Sequence, residues 1–314
     1  MVYIKDLKEG EQITSYFLCI SKQVMKTKAG KDYINVRLQD KTGILEAKVW
    51  DMHKEIGDFE EKDFVKVEGM VITYQNGKQL NVYRVRKAED HEYNLEDYIP
   101  STEYDIEEMY DEFKLYISQM KDKNIKQLAE DIFVNDEQIA KLFKGHSAAK
   151  SMHHNYFGGL LEHTLNIIRI CKFAARNYKG LVNEDLIVIS AMLHDIGKVY
   201  ELTSFPYNDY SDIGQLVGHM VIAVELVTEK TRNIKDFPEE LKNLIKHSIL
   251  AHHGELEYGS PKVPSTIEAL ILHFADNMDS KVKVFEEGIK NAKTEDVWVG
   301  YNRMMNRNIR KSEF

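Results

Sequence analysis

Residues 191–202 read AMLHDIGKVYEL, an apolar helical run that ends in His194-Asp195 and is followed by Gly197 and Lys198. A neutral polar group buried without a partner costs about 1–3 kcal/mol, and a lone carboxylate costs far more. A buried helix end carrying both therefore needs a compensating charge. The pattern recurs. His163 in GGLLEHTLNIIRI lines up with Ile167 and Ile170, and His219 in GQLVGHMVIAVEL with Ile222, Ala223 and Leu226. His252 in LIKHSILAHHG lines up with Ile245, Ser248 and Ile249, and Asp276 in STIEALILHFADNMD with Ala269, Leu272 and His273. Five helices thus turn an imidazole or a carboxylate toward one core, which is tolerable only if the groups share a cation. Imidazoles and carboxylates without thiolate suit Mn²⁺, Fe²⁺, Mg²⁺ or catalytic Zn²⁺ and disfavour a structural zinc site. The set exceeds the needs of one ion, so two are expected, with Asp195 as bridge. Two ions about 3.5–4 Å apart hold a hydroxide and clamp a phosphoryl oxygen for in-line attack.

The elements that must position these residues divide the chain. Residues 1–90 are strand-rich: ITSYFLCISKQVMKT, KDYINVRLQD and GILEAKVWD, then a short helical piece DMHKEIGDF, then DFVKVEGMVITYQ and KQLNVYRVRK joined at Asn76-Gly77. Three strands, a short helix and two strands, with a long first strand, match a five-stranded OB-fold barrel. Residues 91–106 are acidic, lack a period and read as a linker. From 107 to 300 the chain is expected to be helical, with short helices in EEMYDEFKLYISQM, NIKQLAEDIF and DEQIAKLFKG and longer ones near 159–177, 184–194, 214–230, 239–252 and 265–290. Residues 301–314 read as a mobile basic tail. The fold class expected is therefore multi-domain α and β, a barrel followed by an all-α bundle.

Alternation assigns the faces of the barrel. Ile34, Val36, Leu38, Leu45, Ala47 and Val49 fill it, leaving Tyr33, Asn35, Arg37, Lys48 and Trp50 on the other face. Aromatic rings among cations suit a single-stranded nucleic acid, whose bases stack and whose phosphates meet Lys or Arg. Tyr33, Arg37, Lys48 and Trp50 are the nucleic-acid-binding candidates, with Tyr74 and Tyr83 behind them.

Composition narrows the class further. With 314 residues, 43% hydrophobic and 30% charged, the chain is large enough for two cores. The net charge of −9 excludes coating nucleic acid by charge alone. Residues 1–90 carry 16 Lys and Arg against 15 Asp and Glu, and the remainder 26 against 36, so the acidity lies beyond the barrel. No stretch resembles a signal peptide or a membrane span, and Cys19 and Cys171 read as buried free thiols, so a cytoplasmic protein is expected.

In order, His163, His194-Asp195 within HDIGK, His219, His252-His253 and Asp276 resemble the HD-domain metal-dependent phosphohydrolases. The resemblance implies that His163, His194, Asp195 and Asp276 hold one metal, and that Asp195, His219 and His252 hold the second. The apolar face favours His252 over His253, leaving open whether His253 touches metal or substrate. Lys198 looks like the phosphate-contacting lysine of that turn, and Asp195, His194 and Lys198 form the catalytic set. His153 and His154, just before the Gly158-Gly159 turn, are candidates to touch substrate phosphate.

An HD domain after an OB-fold, together with HHNYFGGLLEHT and ADNMDSK, is similar to the YhaM-type 3′-to-5′ exoribonucleases over essentially the whole chain. That family implies Mn²⁺-dependent hydrolysis of single-stranded RNA, and of single-stranded DNA, from the 3′ end to nucleoside monophosphates. The implied partners are these strands and no membrane, with a second copy of the chain as a further candidate. Two other readings compete. An HD enzyme acting on nucleotides or cyclic dinucleotides would not need the barrel, and the GYP element of the cyclic-di-GMP branch is missing after His219. A non-catalytic strand-binding factor would have no energetic reason to keep the buried charges.

Overall fold

The structure, a computed structural model, describes residues 2–27, 29–51, 56–74, 77–94, 97–150, 154–290, 292 and 294–312. It divides into two compact units, Met1–Ser101 and Thr102–Phe314.

In the first unit β1 (Gln12–Lys26), β2 (Asp32–Asp40), β3 (Gly43–Val49), β4 (Phe64–Tyr74) and β5 (Gly77–Lys87) form a closed barrel in the order β1-β2-β3-β5-β4. The fifteen-residue β1 is long enough to pair antiparallel with both β2 and β4. Closure comes from the parallel pairing of β3 with β5, which sets Lys48 beside Asn81. The interior is the expected one: Ile34, Val36, Leu38, Leu45, Ala47 and Val49 are all buried in a single apolar cluster. Asn76 of the expected hairpin turn and residues 52–55 of the expected short helix lie outside the described residues.

The sequence boundary after residue 90 differs from the structural one. Residues 91–101, read as linker, belong to the barrel unit. Tyr93 stacks on Phe64 at 3.9 Å, Tyr98 is buried with Phe64, Leu18 and Ala88, and the Tyr98 carbonyl accepts from Gln39 Nε2 at 3.1 Å. Leu18, Phe64 and Ala88 lie outside the barrel interior and need this aromatic cover, which a composition-based reading of an acidic segment does not register.

The second unit contains α1 (Ile106–Ser118), α2 (Lys123–Phe133), α3 (Glu137–Gly145), α4 (Gly159–Asn177), α5 (Glu184–Leu193), α6 (Lys198–Glu201), α7 (Asp212–Leu216), α8 (His219–Arg232), α9 (Glu239–Ala251) and α10 (Ile267–Lys290). Asp105, Asp122, Asp136, Asn183 and Ser211 cap five helix starts by accepting from backbone N–H groups of the first turn. In α5 every residue from Leu186 to Leu193 is buried, so this helix is apolar all round and lies at the centre, packed by α4, α9 and α10. Its C-terminal end delivers His194-Asp195 to the middle of the bundle.

Two expectations need correcting here. The helix expected over 214–230 is broken at Val217-Gly218, where Gly218 takes φ +79° and ψ 155°, so His219 is the first residue of α8 and not an interior position. The described part of the basic segment, residues 301–312, is not a loose tail. β6 (Trp298–Asn302) and β7 (Arg307–Arg310) pair as an antiparallel hairpin, and the buried Ile309 packs beside Gly288 of α10. No helix among the described residues is long and apolar enough to cross a membrane.

His146, which ends α3, is buried and neither ring nitrogen has a hydrogen-bond partner. Burial pushes its pKa down from 6.5 to about 4. The unfolded chain therefore takes up this proton before the folded one does. Its contribution to stability is complete above pH 6.5 and is lost as the pH falls from 6.5 toward 4, by up to about 3 kcal/mol. Denaturant titrations at a series of pH values are expected to show this fall, with a shallower slope for His146→Phe.

Candidate metal centre and nucleic-acid interface

The buried ends of α5 and α9 repeat one device. A helix end leaves its last carbonyls without intrahelical partners, and the residue after each helix is a histidine. His194 Nδ1 meets the Ala191 carbonyl at 2.8 Å, and His252 Nδ1 meets the Ile249 carbonyl at 2.6 Å. A carbonyl only accepts, so the proton sits on Nδ1 and the lone pair of Nε2 faces inward. The other rings are held alike. His163 Nδ1 lies 2.7 Å from Asp279 Oδ2, His219 Nδ1 2.9 Å from Glu201 Oε1, and His253 Nδ1 3.1 Å from the Tyr258 carbonyl.

The inward nitrogens gather around Asp195. Its Oδ2 lies 3.4 Å from His194 Nε2 and 3.6 Å from His163 Nε2, while its Oδ1 lies 3.5 Å from His219 Nε2 and 3.7 Å from His252 Nε2. Asp276 Oδ1 completes the first side, 3.3 Å from His163 Nε2. His219, His252 and His253 offer ligand atoms within 4.8 Å of one another, as do His163, His194 and Asp195. One carboxylate thus has a different group of imidazoles on each oxygen.

Whether these residues fit divalent cations can be tested on their hydrogen bonding. Asp195 Oδ1, His219 Nε2 and His252 Nε2 are inaccessible to solvent and have no hydrogen-bond partner. Native interiors rarely tolerate such atoms, and here three point to one place. His163 Nε2 and His194 Nε2 approach to 3.2 Å, a spacing two imidazole nitrogens accept only with a proton or cation between them. The donor set fits.

The electrostatics agree. Burial alone would raise the Asp276 and Asp195 carboxyls. The hydrogen bond from His163 at Asp276, and the Lys198 charge beside Asp195, outweigh this and hold both well below the usual range. Burial would lower His163, yet Asp276 and Asp279 outweigh it and raise its pKa to about 10. Burial, with His253 and His194 nearby, pushes His252 well below its ordinary value. The centre is built for anions and cations in contact, not for neutral packing.

Two residues that sequence reasoning missed hold the candidate ligands in place. Asp279 bridges His163 and His154 through the same oxygen, its other oxygen accepting from Asn166 Nδ2 at 3.0 Å. Glu201 accepts from both the backbone N–H and Nδ1 of His219 at 2.9 Å. Carboxylates behind ligating imidazoles fix the tautomer and ring orientation. Their signal was faint but present: Asp279 stands three residues after Asp276, and Glu201 three after Lys198, each on the same helix face.

The remaining candidates separate. Lys198 Nζ lies 2.6 Å from Asp195 Oδ2 and lines the cleft beside it. His154 does not reach into that cleft. It is buried, with Nδ1 2.9 Å from the Tyr156 hydroxyl and Nε2 2.9 Å from Asp279, so neither nitrogen is left for a phosphate. It braces Asp279 instead. His153 lies outside the described residues.

On the barrel, Tyr33 and Trp50 stack at 4.8 Å with an interplanar angle of 28°. Lys48 Nζ stands 5.5, 5.2 and 5.4 Å from the ring centres of Tyr33, Trp50 and Tyr74, and Trp50 Nε1 donates to Asn81 at 3.1 Å. Trp50 and Tyr74 are exposed, so the face is a solvent-facing aromatic platform around one cation. Arg37 pairs with Glu46 at 3.3 Å at its edge.

With this geometry in view, comparison with known proteins is informative. The model of the HD domain matches residues 160–281, and that of the OB-fold nucleic acid binding domain matches residues 19–88. The chain is 33% identical over 300 residues to the 3′-5′ exoribonuclease YhaM of Bacillus velezensis, covering 94% of each chain. It is 32% identical to the 3′-5′ exoribonuclease YhaM of Bacillus subtilis over the same share.

Proposed function

Because the chain belongs to the family of YhaM 3′-5′ exoribonucleases, we propose that it removes nucleoside monophosphates from the 3′ end of single-stranded RNA, and of single-stranded DNA, using two divalent cations, with Mn²⁺ the best fit. The observation that carries this reading is the approach of inward-facing imidazole nitrogens to both oxygens of Asp195. His163, His194, Asp195 and Asp276 would hold one cation, and Asp195, His219, His252 and His253 the other. Bound there, the cations would polarise the phosphodiester and supply a nucleophile at neutral pH.

The chain's own groups do the rest. Glu201 and Asp279 keep their imidazoles in the ligating tautomer. Lys198 brings a compact positive charge to the cleft wall, where it suits a non-bridging phosphate oxygen. The barrel platform holds the strand by stacking, which tolerates any base and needs no strongly basic net charge. Free, buried Cys19 and Cys171 fit the reducing cytoplasm.

The test is a product ladder. The protein, supplied in turn with Mn²⁺, Fe²⁺, Mg²⁺ and Zn²⁺, is given single strands of RNA or DNA labelled at either end, and separately cyclic dinucleotides and free nucleotides. Mononucleotides released from 3′-labelled strands at the first turnover, with 5′-labelled strands shortening stepwise, support the reading. Turnover of only the free or cyclic nucleotides ends it.

Trp50→Ala separates holding from hydrolysis. It is expected to weaken binding of a long strand by roughly 5- to 150-fold, the range of about 1–3 kcal/mol per stacked base. Turnover of a dinucleotide should change far less. Equal losses on both substrates would remove Trp50 from the strand-holding surface.

A further inference from the structure

The cleft beside Asp195 encloses about 670 Å³. That is within the roughly 300–1,000 Å³ of sites that enclose whole small molecules, and well beyond the needs of a phosphate group. His163, Asp195, Lys198, His219 and Asp276 give it a polar, charged side. It is also lined by two aromatic rings that neither the core nor the candidate metal centre uses, Tyr210 and Tyr258.

Both rings are exposed, 44% for Tyr210 and 65% for Tyr258, yet both backbones are tied to elements of the centre. Tyr210, between α6 and α7, forms an antiparallel bridge with Leu202, immediately after Glu201. Tyr258 ends a 3-10 turn (Leu256–Tyr258) after α9, and its carbonyl accepts the hydrogen bond that orients His253. Lys150 Nζ, also on the cleft, pairs with Asp209 Oδ1 at 2.5 Å and stands 5.5 Å from the Tyr210 ring centre. Aromatic rings held beside a phosphodiester-cleaving centre, with a cation near one of them, are the parts that grip single-stranded nucleic acid.

We propose that Tyr210 and Tyr258 form a stacking subsite for the bases at the 3′ end of the strand, with Lys150 meeting its backbone. The subsite rests on the exonuclease reading and deepens it. The helical unit binds the chain end through its own residues, without regard to base identity, in addition to the hold exerted by the barrel.

The experiment measures kcat and KM on single-stranded RNA for the parent, Tyr210→Ala, Tyr258→Ala and the corresponding Phe variants. A matched strand whose last two nucleotides are abasic is measured alongside. Each Ala variant is expected to raise KM by roughly tenfold with kcat within about threefold, whereas each Phe variant stays within about twofold of the parent. On the abasic-ended strand the Ala variants and the parent should have the same KM. Unchanged KM in both Ala variants, Phe variants as impaired as Ala, or an equal loss on the abasic-ended strand would overturn the subsite while leaving the exonuclease reading intact. A parent protein that digests no strand with any of the cations overturns both.

Discussion

Asp195→Ala is expected to reduce hydrolysis at least about a thousandfold, equivalent to about 4 kcal/mol or more of barrier, while binding of single-stranded RNA stays within a few-fold of the parent. Among the described residues, Asp195 is the side chain whose two oxygens face both imidazole groups, His163 and His194 on one side and His219 and His252 on the other. Removing it takes a ligand from both candidate cation positions at once. It also strips Lys198, largely buried, of its 2.6 Å partner. Loss of one member of a buried ion pair can itself cost about 3–5 kcal/mol, so thermal melting must accompany the rate measurement. Titration calorimetry with Mn²⁺ gives the independent readout: the parent should bind the cation tightly and the variant should not. A folded Asp195→Ala protein that degrades RNA at the parent rate would remove Asp195 from the centre.

The second large effect is expected from a methyl group. Gly197, in the HDIGK stretch, lies in ordinary helical conformation at φ −61° and ψ −19°, so its backbone does not require glycine. The space does. A Cβ at this position would sit 2.0 Å from the carbonyl oxygen of His219 and 2.9 Å from its Cα. Gly197→Ala must therefore push away the first residue of α8, and with it the His219 ring. Misplacing a reacting group by about 1 Å can cost a hundredfold in rate, and overpacking costs about 1–3 kcal/mol of stability. Hydrolysis is expected to fall about a hundredfold or more, with a matching drop in melting temperature. Gly180→Ala provides the contrast. That glycine has φ +85° and open space around it, so the change should bring mild strain and no loss of rate. Equal activity in the two variants would mean that the approach of Gly197 to α8 does not set the position of His219.

Much of the helical unit could be read from residue spacing. α4, α5, α9 and α10 begin and end within about two residues of the expected bounds, because long apolar periodicities and capping residues are local signals. The broken helix before His219 escaped notice since GQLVGHMVIAVEL keeps its apolar period across the break. Only the Glu201 carboxylate, which receives the backbone N–H of His219, shows why a helix starts there. The aromatic cover at residues 93–98 escaped for a related reason. An acidic stretch with isolated tyrosines has no period, and its burial depends on Phe64 and Leu18 from distant strands. His154 reads from the sequence as a candidate to touch substrate phosphate, and its burial between Tyr156 and Asp279 gives it a bracing role instead.

The amino-acid order alone determined which groups are available and which faces they share: the imidazoles and acids on apolar helix faces, and Tyr33, Lys48 and Trp50 on the outer side of a barrel whose inner side is aliphatic. Those properties follow from the 3.6- and 2-residue periods of helix and strand, which act over a few residues. The tertiary structure alone decided which ring nitrogen of each histidine faces the centre. That choice belongs to acceptors brought in from elsewhere, Asp279 for His163, Glu201 for His219 and the Tyr258 carbonyl for His253, and to helix ends that leave the Ala191 and Ile249 carbonyls unpaired. A cation responds to lone-pair direction and not to residue type, so the arrangement of the centre came into being only when separate helices packed together.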